Sequence, residues 1–286
     1  MSSSPEFEPF AARAPSVADR PAIVELAAAA GAHGVYVAND LARDPSGRAL
    51  ASRGLAMFGR DGVLAFAWFG ARGNLIVLGA EGGHADPTQV ARAIDAVALE
   101  WRIALGPEPV LAALARAAPV PPVLLRRQLY YVADPELVRA HEPDPRVRVA
   151  NVVDLDALVQ ASIELNRVDL ELDPAQVSKR WVRQAASERV RAGTAFVVGP
   201  PGAPFAKLDI GSQGRAGVVI EGVFTLEAHR SQGWGSRLVH GVCRRHLAAG
   251  RPTVCLHVAE SNAAGRRCYE KAGMRPGIGV GLLLRA

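Results

Sequence analysis

The segment Ile220–Gly250 constrains the fold of this chain more than any other stretch. Its first residues, together with Val218-Val219 before it, are apolar β-formers that predict a strand, including Val223-Phe224-Thr225. The chain then turns through Arg230-Ser231-Gln232-Gly233-Trp234-Gly235-Ser236. Apolar residues recur after the turn at helical spacing, at Leu238, Val239, Val242 and Leu247. A strand that enters a helix through a glycine-containing turn is one way in which proteins bind phosphate groups.

The physical basis is the start of the helix. Its first backbone N–H groups have no partner inside the helix and point outward at the positive end of the helix dipole. Because Gly233 and Gly235 lack a Cβ, a pyrophosphate can approach these amides closely, and Arg230 is a charge-matched partner for phosphate oxygens. An ordinary tight turn has the same pattern, so this segment alone leaves both interpretations open.

A second segment lies downstream of the turn. Val254–Val258 predicts a short buried strand, Ala259-Glu260-Ser261-Asn262 follow it, and Ala263–Ala272 predicts a helix that ends at Gly273. The order Arg230-x-x-Gly233-x-Gly235, then Asn262 and Tyr269 in Asn-x6-Tyr-Glu-Lys-x-Gly-Met, resembles the GNAT superfamily of acyl-CoA-dependent N-acetyltransferases. Two motifs in this order are more specific than either motif alone.

The resemblance covers residues 146–286 and implies a mixed β-sheet flanked by helices, with acetyl-CoA as cosubstrate and an amine as acceptor. It implies that the first motif binds the pyrophosphate of coenzyme A, and that the second supplies an Asn and a Tyr beside the pantetheine and the thiol. The implied cofactor-binding residues are Val223, Phe224, Thr225, Arg230, Ser231, Gln232, Gly233, Trp234, Gly235, Ser236 and Asn262.

The sequence departs from the family pattern at several positions. Ser231 replaces a frequent Gly, and Glu227 stands where a Pro is usual. In the second motif, Gly265 takes the place of a common Ala and Met274 that of a Phe. None of these changes removes a phosphate donor or the Tyr. The departures still leave a second function open, a catalytically inactive module that senses acyl-CoA, and a third, a scaffold for association.

The resemblance also implies the catalytic roles. Tyr269 is placed near the sulfur and would be the general acid, since a phenol with a pKa of about 10 is protonated at neutral pH. Glu221 is the first candidate for the general base, because members of the family often use a carboxylate there through a water, and Asp209 is the second. The alternatives are a core aromatic for Tyr269 and an ion-paired sheet residue for Glu221, whose direction the sequence does not fix.

The length of 286 residues, with 49 % hydrophobic and 21 % charged residues, predicts two domains with proper cores. We expect a disordered tail at 1–18, an N-terminal domain at 19–132, a Pro-rich linker at 133–145 and the GNAT-like domain at 146–286. Both halves give the same coarse order of helices and strands, so the first domain is expected to be a diverged GNAT-like unit, the product of a tandem duplication. Its counterpart of the glycine turn, residues 79–86, contains Glu81 and Asp86, whose charges disfavour a phosphate site.

Composition excludes several other classes. The net charge is +5, but no block of like charge occurs and aromatics are 6 %, so the basic excess indicates compositional bias more than a nucleic-acid surface. No run of 18 apolar residues and no basic n-region before an apolar segment occur, so we expect a cytoplasmic protein. Cys243, Cys255 and Cys268 are expected to be buried free thiols, and no metal-ligand spacing is present.

The acceptor is the least determined part of the prediction. A polar loop expected at 166–173 carries Asn166, Asp169, Glu171 and Asp173, which either form an acidic lip for a cationic amine or are simply solvated. The sequence does not distinguish a small amine from a protein amine, and it leaves the oligomeric state open.

Overall fold

The computed structural model describes residues 7–79, 85–175 and 177–285. The chain groups into two compact units, Met1–Leu129 with Ile278–Ala286 and Tyr130–Gly277. Both boundaries fall inside strands, so two strands contribute residues to each unit. The domain ranges 19–132 and 146–286 differ from this grouping at their ends and stay a prediction.

Helices and strands alternate in a similar way in the two halves of the chain. The first half contains β1 Ala11–Arg13, α1 Arg20–Ala29, α2 Val35–Ala42, α3 Arg48–Arg53, β2 Gly54–Gly59, β3 Gly62–Phe69, β4 Asn74–Gly79, α4 Pro87–Ala96, β5 Ile103–Gly106, α5 Glu108–Ala117 and β6 Leu124–Ala133. The second half contains α6 Pro135–Arg139, β7 Val147–Val149, α7 Leu155–Asp169, α8 Lys179–Arg191, β8 Ala195–Val198, β9 Ala206–Gln213, β10 Val218–Thr225, α9 Trp234–Ala248, β11 Val254–Ala259, α10 Ala263–Lys271 and β12 Met274–Leu284.

The two units repeat one strand order. Strands β1 to β4 pair as antiparallel neighbours, and β4 pairs in parallel with β5. In the second unit, β7 to β10 are antiparallel neighbours and β10 pairs in parallel with β11. A different order in the first unit would have contradicted the duplication, and the predicted repeat of strand order is confirmed.

The last strand of each unit comes from the other half of the chain. Residues 281–284 of β12 pair antiparallel with residues 103–106 of β5 in the first unit. In the second unit, β6 lies next to β11. The second unit therefore receives its last strand from a segment that the sequence assigned to the first domain.

Helices cover both faces of each sheet. In the first unit, Leu75 and Val77 of β4 pack with Val90 of α4 and Leu111 of α5, while α1 contacts β3. In the second unit, α7 and α8 pack their apolar stripes on β8, and α9 packs against β8 and β9. Burial of these stripes provides the main driving force for folding.

Several local expectations are corrected by the structure. The apolar spacing of Val90, Ile94, Val97 and Trp101 in the sequence predicts a helix from Pro87 to about Arg102. The helix ends at Ala96, because Ala98 adopts a left-handed φ of 53°. The sequence pattern of 174–191 also predicts that Trp181 points inward, but Trp181 is 63 % exposed, since Val182 and Ala186 form the buried stripe of α8. Residues 11–13 of the expected tail form a strand, and residues 135–139 of the expected linker form a helix.

The first unit has a carboxylate at the start of α4. Of the glycine segment 79–86, residues 80–84 lie outside the described residues. Asp86 is described, and its side chain accepts a hydrogen bond of 2.8 Å from the backbone N–H of Thr88. A carboxylate at this position caps the helix and opposes any anion there.

The cysteines are free thiols, as predicted. Cys243 and Cys255 are buried and Cys268 is half-buried. Burial raises the thiol pKa to about 12 at Cys243 and Cys255, and to about 11 at Cys268. None of the helices in the described ranges has the length and apolar character that a membrane crossing requires.

A buried ion pair fixes the entry into α7. Asp154 is 0 % exposed and accepts 2.7 and 2.8 Å hydrogen bonds from the guanidinium of Arg148. It also accepts bonds from the N–H groups of Asn151 and Gly202, both at 2.9 Å. Burial opposes ionisation, but the guanidinium and the two amides together hold the pKa of this carboxyl below its usual value.

We predict that Asp154→Ala lowers the free energy of unfolding by about 3 kcal/mol, because it leaves the Arg148 guanidinium unpaired. The depressed pKa stabilises the fold at neutral pH, and this contribution is lost as pH falls through the folded-state pKa. Denaturant titration at pH 7 and at pH 3 tests both statements. Asp156→Ala is the matched control, since Asp156 is 83 % exposed and should change stability by less than about 1 kcal/mol. Equal losses for the two variants would contradict the structural role of Asp154.

Candidate active site

The turn from β10 into α9 contains two residues in the left-handed region. Ser231 has φ 62° and Gly233 has φ 80°. Glycine adopts this conformation without strain, whereas Ser231 does so at a cost of roughly 1–2 kcal/mol. Ser231 is the position at which the resemblance leads us to expect a Gly, and its left-handed φ is one that a Gly adopts without strain.

The start of α9 is open. Gly233 is its N-cap and provides no side-chain hydrogen bond. The hydroxyl of Ser236 donates to the carbonyl of Gly233 at 2.9 Å, so it does not cap the amides either. The first amides of a helix have no partner within the helix, and those of α9 begin at Trp234. This end of the helix therefore presents N–H donors and the positive end of the dipole.

The two glycines of the turn have different physical roles. A Cβ on Gly233 would meet nothing closer than 3.8 Å, so its surroundings are open. A Cβ on Gly235 would lie 3.0 Å from the Thr225 Oγ1 and 3.1 Å from the Cys268 Sγ. Gly235 therefore allows α9 to pack closely on β10 and α10, which differs from the expectation that it keeps space for a ligand.

Strands β10 and β11 separate next to this turn. Their parallel ladder contains the pairs Val218↔Val254 and Val219↔Cys255, although the strands continue to Thr225 and Ala259. On its other side, β10 bulges between Glu221 and Phe224 against β9. The bulge takes Gly222 and Val223 out of the ladder with β9, whereas Phe224 and Thr225 pair with Lys207 and Ala206 of that strand. On the side of β11 the ladder pairs Val218 and Val219 and does not include residues 223–225.

Arginines surround the mouth of the turn. Arg230 donates from Nε to the Thr225 carbonyl at 3.4 Å. The guanidinium groups of Arg146 and Arg237 lie 4.5 Å and 4.8 Å from the centre of the Trp234 ring. Asp144 pairs with both of these arginines, and chiefly the bond from Arg146 lowers its pKa to about 2. The three guanidinium groups would attract an anionic ligand to this end of α9.

A cavity of about 390 Å³ adjoins the first turn of α9. Its lining includes Ser236, Arg237 and His240 of α9, Lys271 of α10 and Asp144. His240 donates a 3.0 Å hydrogen bond from Nε2 to the Val138 carbonyl, which fixes its ring. Glu142 also lines the cavity, which is thus a polar recess beside the open helix start, with Arg237 and Lys271 against Glu142 and Asp144.

Tyr269 lies on α10 and is 7 % exposed. Burial, then the charges of Cys268 and Asp169, raises the pKa of its phenol well above the usual value. Its ring lies 5.8 Å from that of Tyr131 on β6. Tyr131 donates to Glu270 Oε1 at 2.8 Å and accepts a 3.4 Å bond from Arg266, so α10 and β6 are tied together around Tyr269.

Asn262 serves as a helix cap. Its Oδ1 accepts a 2.8 Å hydrogen bond from the N–H of Gly265. A Cβ on Gly265 would lie 2.9 Å from the Asn262 Nδ2, so the Gly at this position matches the close approach of the cap. The local role of Asn262 is to start α10, and its predicted contact with the cofactor stays a prediction.

Glu221 lies directly opposite Asp209 of β9 in the antiparallel ladder. Residues opposite each other project from the same face of a sheet, and here that face is covered by α7 and α8. Asp209 is bound to Lys207, Nζ to Oδ2 2.7 Å, and both side chains are buried. Asp209 is therefore ion-paired with Lys207, and the assignment of Glu221 as the first base candidate stays a prediction.

The expected acidic lip is shorter than predicted. Helix α7 runs to Asp169, so Asn166 and Asp169 are helical and not in a loop. Asp173 accepts a 2.9 Å bond from the N–H of Ala175, which gives it a local structural role. The charge of Asp169 contributes, after burial and Cys268, to the raised pKa of the Tyr269 phenol.

Three residues of this region were missed by sequence reasoning. Lys207 could have been found from the sequence, because it lies two residues before Asp209 on a strand. Side chains two apart on a strand project from the same face, so the opposite charges of these two residues indicate an ion pair. Tyr131 has no local signal, because its position depends on β6 joining the second unit. The role of Gly211 is visible only in the structure, because a Cβ at this position would overlap the Glu221 carboxylate.

The remaining histidines do not form a metal site. His246 is buried, and burial followed by Arg245 and Arg251 lowers its pKa to about 4. His257 lies with its ring 5.6 Å from that of Tyr130. In the described part of the chain, no group of three or more His, Cys, Asp or Glu side chains is arranged to hold a metal ion.

Comparison with known proteins gives a family match in the second half of the chain. Residues 163–274 match the family model of the acetyltransferase (GNAT) family. A GCN5-related N-acetyltransferase from Sphaerobacter thermophilus has a similar structure with TM-score 0.60 and 20 % identity, covering 96 % of this chain and 94 % of that one. An acetyltransferase from the GNAT family from Colwellia psychrerythraea gives TM-score 0.53 and 12 % identity, covering 97 % and 100 %. No curated protein matches the chain in sequence.

These likenesses show the fold over nearly the whole chain. The predicted mixed α/β architecture, a mixed sheet flanked by helices in each unit, is confirmed. The family match covers the turn at 230–236, Asn262 and Tyr269, and its range ends at Met274.

We predict that Ser231→Gly raises the free energy of unfolding by about 0.5–1 kcal/mol, because it relieves the left-handed strain at φ 62°. Ser236→Gly is the opposite control: at a helical position Gly should lower stability by about 1 kcal/mol. Chemical denaturation of both variants measures the difference. Destabilisation by Ser231→Gly would show that the Ser side chain contributes more than its backbone strain costs.

Proposed function

We propose that the protein is an N-acyltransferase that moves an acetyl group from acetyl-CoA directly to an amine, a proposal supported by the match of residues 163–274 to the acetyltransferase (GNAT) family model. The acceptor is a small molecule or a protein amine. The observation that carries the proposal is the uncapped start of α9 beside the separated strands β10 and β11. One feature offers donors for a pyrophosphate, and the other offers unpaired backbone for an extended pantetheine arm.

The proposed cofactor site runs from the strand to the helix. Residues 223–225 would hold the pantetheine through backbone hydrogen bonds, and the amides of 231–236 would bind the pyrophosphate. Arg230 and the recess lined by Arg237 and Lys271 would neutralise the remaining phosphate charge. Asn262 would contribute through its amide nitrogen, since its oxygen is used by Gly265.

The proposed reaction is a direct transfer. A neutral amine attacks the thioester carbonyl, the C–N bond forms, and the C–S bond breaks to release a thiolate. Glu221 would take the proton that the nitrogen loses, directly or through water, and Tyr269 would give its proton to the departing sulfur. The dry surroundings of Tyr269 raise its pKa. The same desolvation makes the thiolate more basic, so the proton transfer stays feasible.

We place a single cofactor site in each chain, in the second unit. The corresponding helix of the first unit, α4, has its first amides facing the carboxylate of Asp86. This carboxylate would repel a pyrophosphate, whereas Gly233 at α9 brings no charge. Calorimetry with coenzyme A is expected to give one site per chain.

We predict that Ser236→Asp weakens coenzyme A binding at least about tenfold while leaving the fold intact or more stable. A carboxylate in the first turn stabilises the helix dipole but repels a pyrophosphate bound to the same amides. Calorimetry gives Kd and thermal melting gives Tm. Ser236→Asn, which is isosteric and neutral, is the control and should bind nearly as the wild type does. Unchanged affinity in the Asp variant would place the pyrophosphate elsewhere.

We predict that Tyr269→Phe slows acetyl transfer by roughly 10²-fold or more with little change in the Kd of acetyl-CoA, because it removes the proton for the leaving thiolate. Thiol release from acetyl-CoA against a panel of amines measures turnover. Tyr36→Phe, in the first unit, is the control. If the wild-type protein binds acetyl-CoA but releases no thiol with any amine of the panel, the alternative of an inactive acyl-CoA sensor would be favoured.

A further inference from the structure

A cluster of buried charges lies beside the bulge of β10. Lys207 is 3 % and Asp209 is 6 % exposed, and Arg189 of α8 lies 3.9 Å from the same Asp209 oxygen that Lys207 binds. Burying charges costs several kcal/mol per ion unless they are paired. The buried Asp209 carboxylate is therefore stable only beside a cation, and the buried Lys207 ammonium only beside a carboxylate.

Glu221 is the direct neighbour of this cluster. It stands opposite Asp209 in the ladder, so both carboxylates project from one face of the sheet. Gly222, the next residue, adopts φ 58°, and a Cβ there would lie 3.0 Å from both Asp209 Oδ2 and Lys207 Nζ. The bulge of β10 therefore lies directly beside the ion pair of Lys207 and Asp209.

The two carboxylates point in opposite directions along β9. That of Asp209 is turned toward Lys207, two residues before it. That of Glu221 lies over Gly211, two residues after Asp209, where an added Cβ would overlap it. Two carboxylates on neighbouring strands are in this way kept apart, and one of them is neutralised.

We propose that Lys207 and Gly211 are positioning residues for Glu221: Lys207 holds and neutralises the Asp209 carboxylate, and Gly211 leaves the space that the Glu221 carboxylate fills. The inference rests on the proposed function, in which Glu221 receives the proton of the amine. Lys207 itself is assigned no contact with the reacting atoms.

The electrostatic consequence follows from the groups on the surrounding elements, which are Lys207 and Asp209 of β9, Arg189 of α8, Asp169 of α7, Tyr130 of β6 and His257 of β11. Tyr130 stays neutral, since burial, then Cys255 and Glu221, raise its pKa. Removal of Lys207 would leave Arg189, 3.9 Å away, as the remaining cation of Asp209 and would free the Asp209 carboxylate to turn toward Glu221. Two carboxylates that approach each other repel, and this repulsion favours the protonated form of one of them.

The test is a ¹³C NMR titration of the full-length protein with labelled Glu side chains, in which Glu221→Gln assigns the Glu221 signal. In Lys207→Met the two carboxylates are expected to titrate together, with an upper midpoint about one pH unit above that of Glu221 in the wild type. In Lys207→Met with Asp209→Asn, the midpoint should return close to the wild-type value. Lys179→Met, at an exposed lysine, is the matched control. A wild-type midpoint in soluble, folded Lys207→Met would overturn the proposal.

The role of Gly211 is tested separately. Gly211→Ala should lower kcat for acetyl transfer at least tenfold, because its methyl displaces the carboxylate, while the Kd of acetyl-CoA stays unchanged. Gly277→Ala is the control, since a Cβ there meets nothing closer than 3.6 Å. Unchanged kcat in Gly211→Ala would contradict the positioning role. If Glu221→Gln itself kept full activity, the base assignment of the proposed function would fail, and the NMR midpoints would still decide whether Lys207 acts on Glu221.

Discussion

The uncapped amides at the start of α9 are the feature on which the proposed chemistry depends. Two left-handed residues, Ser231 and Gly233, turn the chain so that no side chain covers them. The unpaired N–H groups at an open helix start cost free energy, and a bound anion that accepts their hydrogen bonds offsets this cost. The first unit has the same strand order but closes the corresponding helix with Asp86, so two similar units differ in whether the helix start is free for a ligand.

The rest of the site is arranged around this helix. Gly235 brings α9 close to Thr225 and Cys268, and Cys268 is the residue before Tyr269, so the helix start and the candidate acid are packed as one block. Tyr131 reaches this block from β6. Strand β6 thus contributes Tyr131 to the packing around Tyr269.

Local features of the site were predictable from the sequence, and non-local ones were not. The strand, turn and helix around residues 230–236 follow from β-propensity, glycine and helical period, all of which are local. Lys207 was missed because a lysine ordinarily predicts exposure, and its burial depends on Asp209 and on two covering helices. Tyr131 was assigned to the first domain, since no local pattern shows that β6 pairs beside β11. Trp181 was expected inside because α8 has apolar residues on more than one face, and packing selected Val182.

A crystal structure with coenzyme A bound tests the central claim most directly. We expect the diphosphate to lie within hydrogen-bonding distance, about 3 Å, of the amides of residues 231–236, with the pantetheine running between β10 and β11 toward Tyr269. Density for the diphosphate at any other place in the chain, or an α9 start that stays unoccupied at saturating coenzyme A, would contradict the claim.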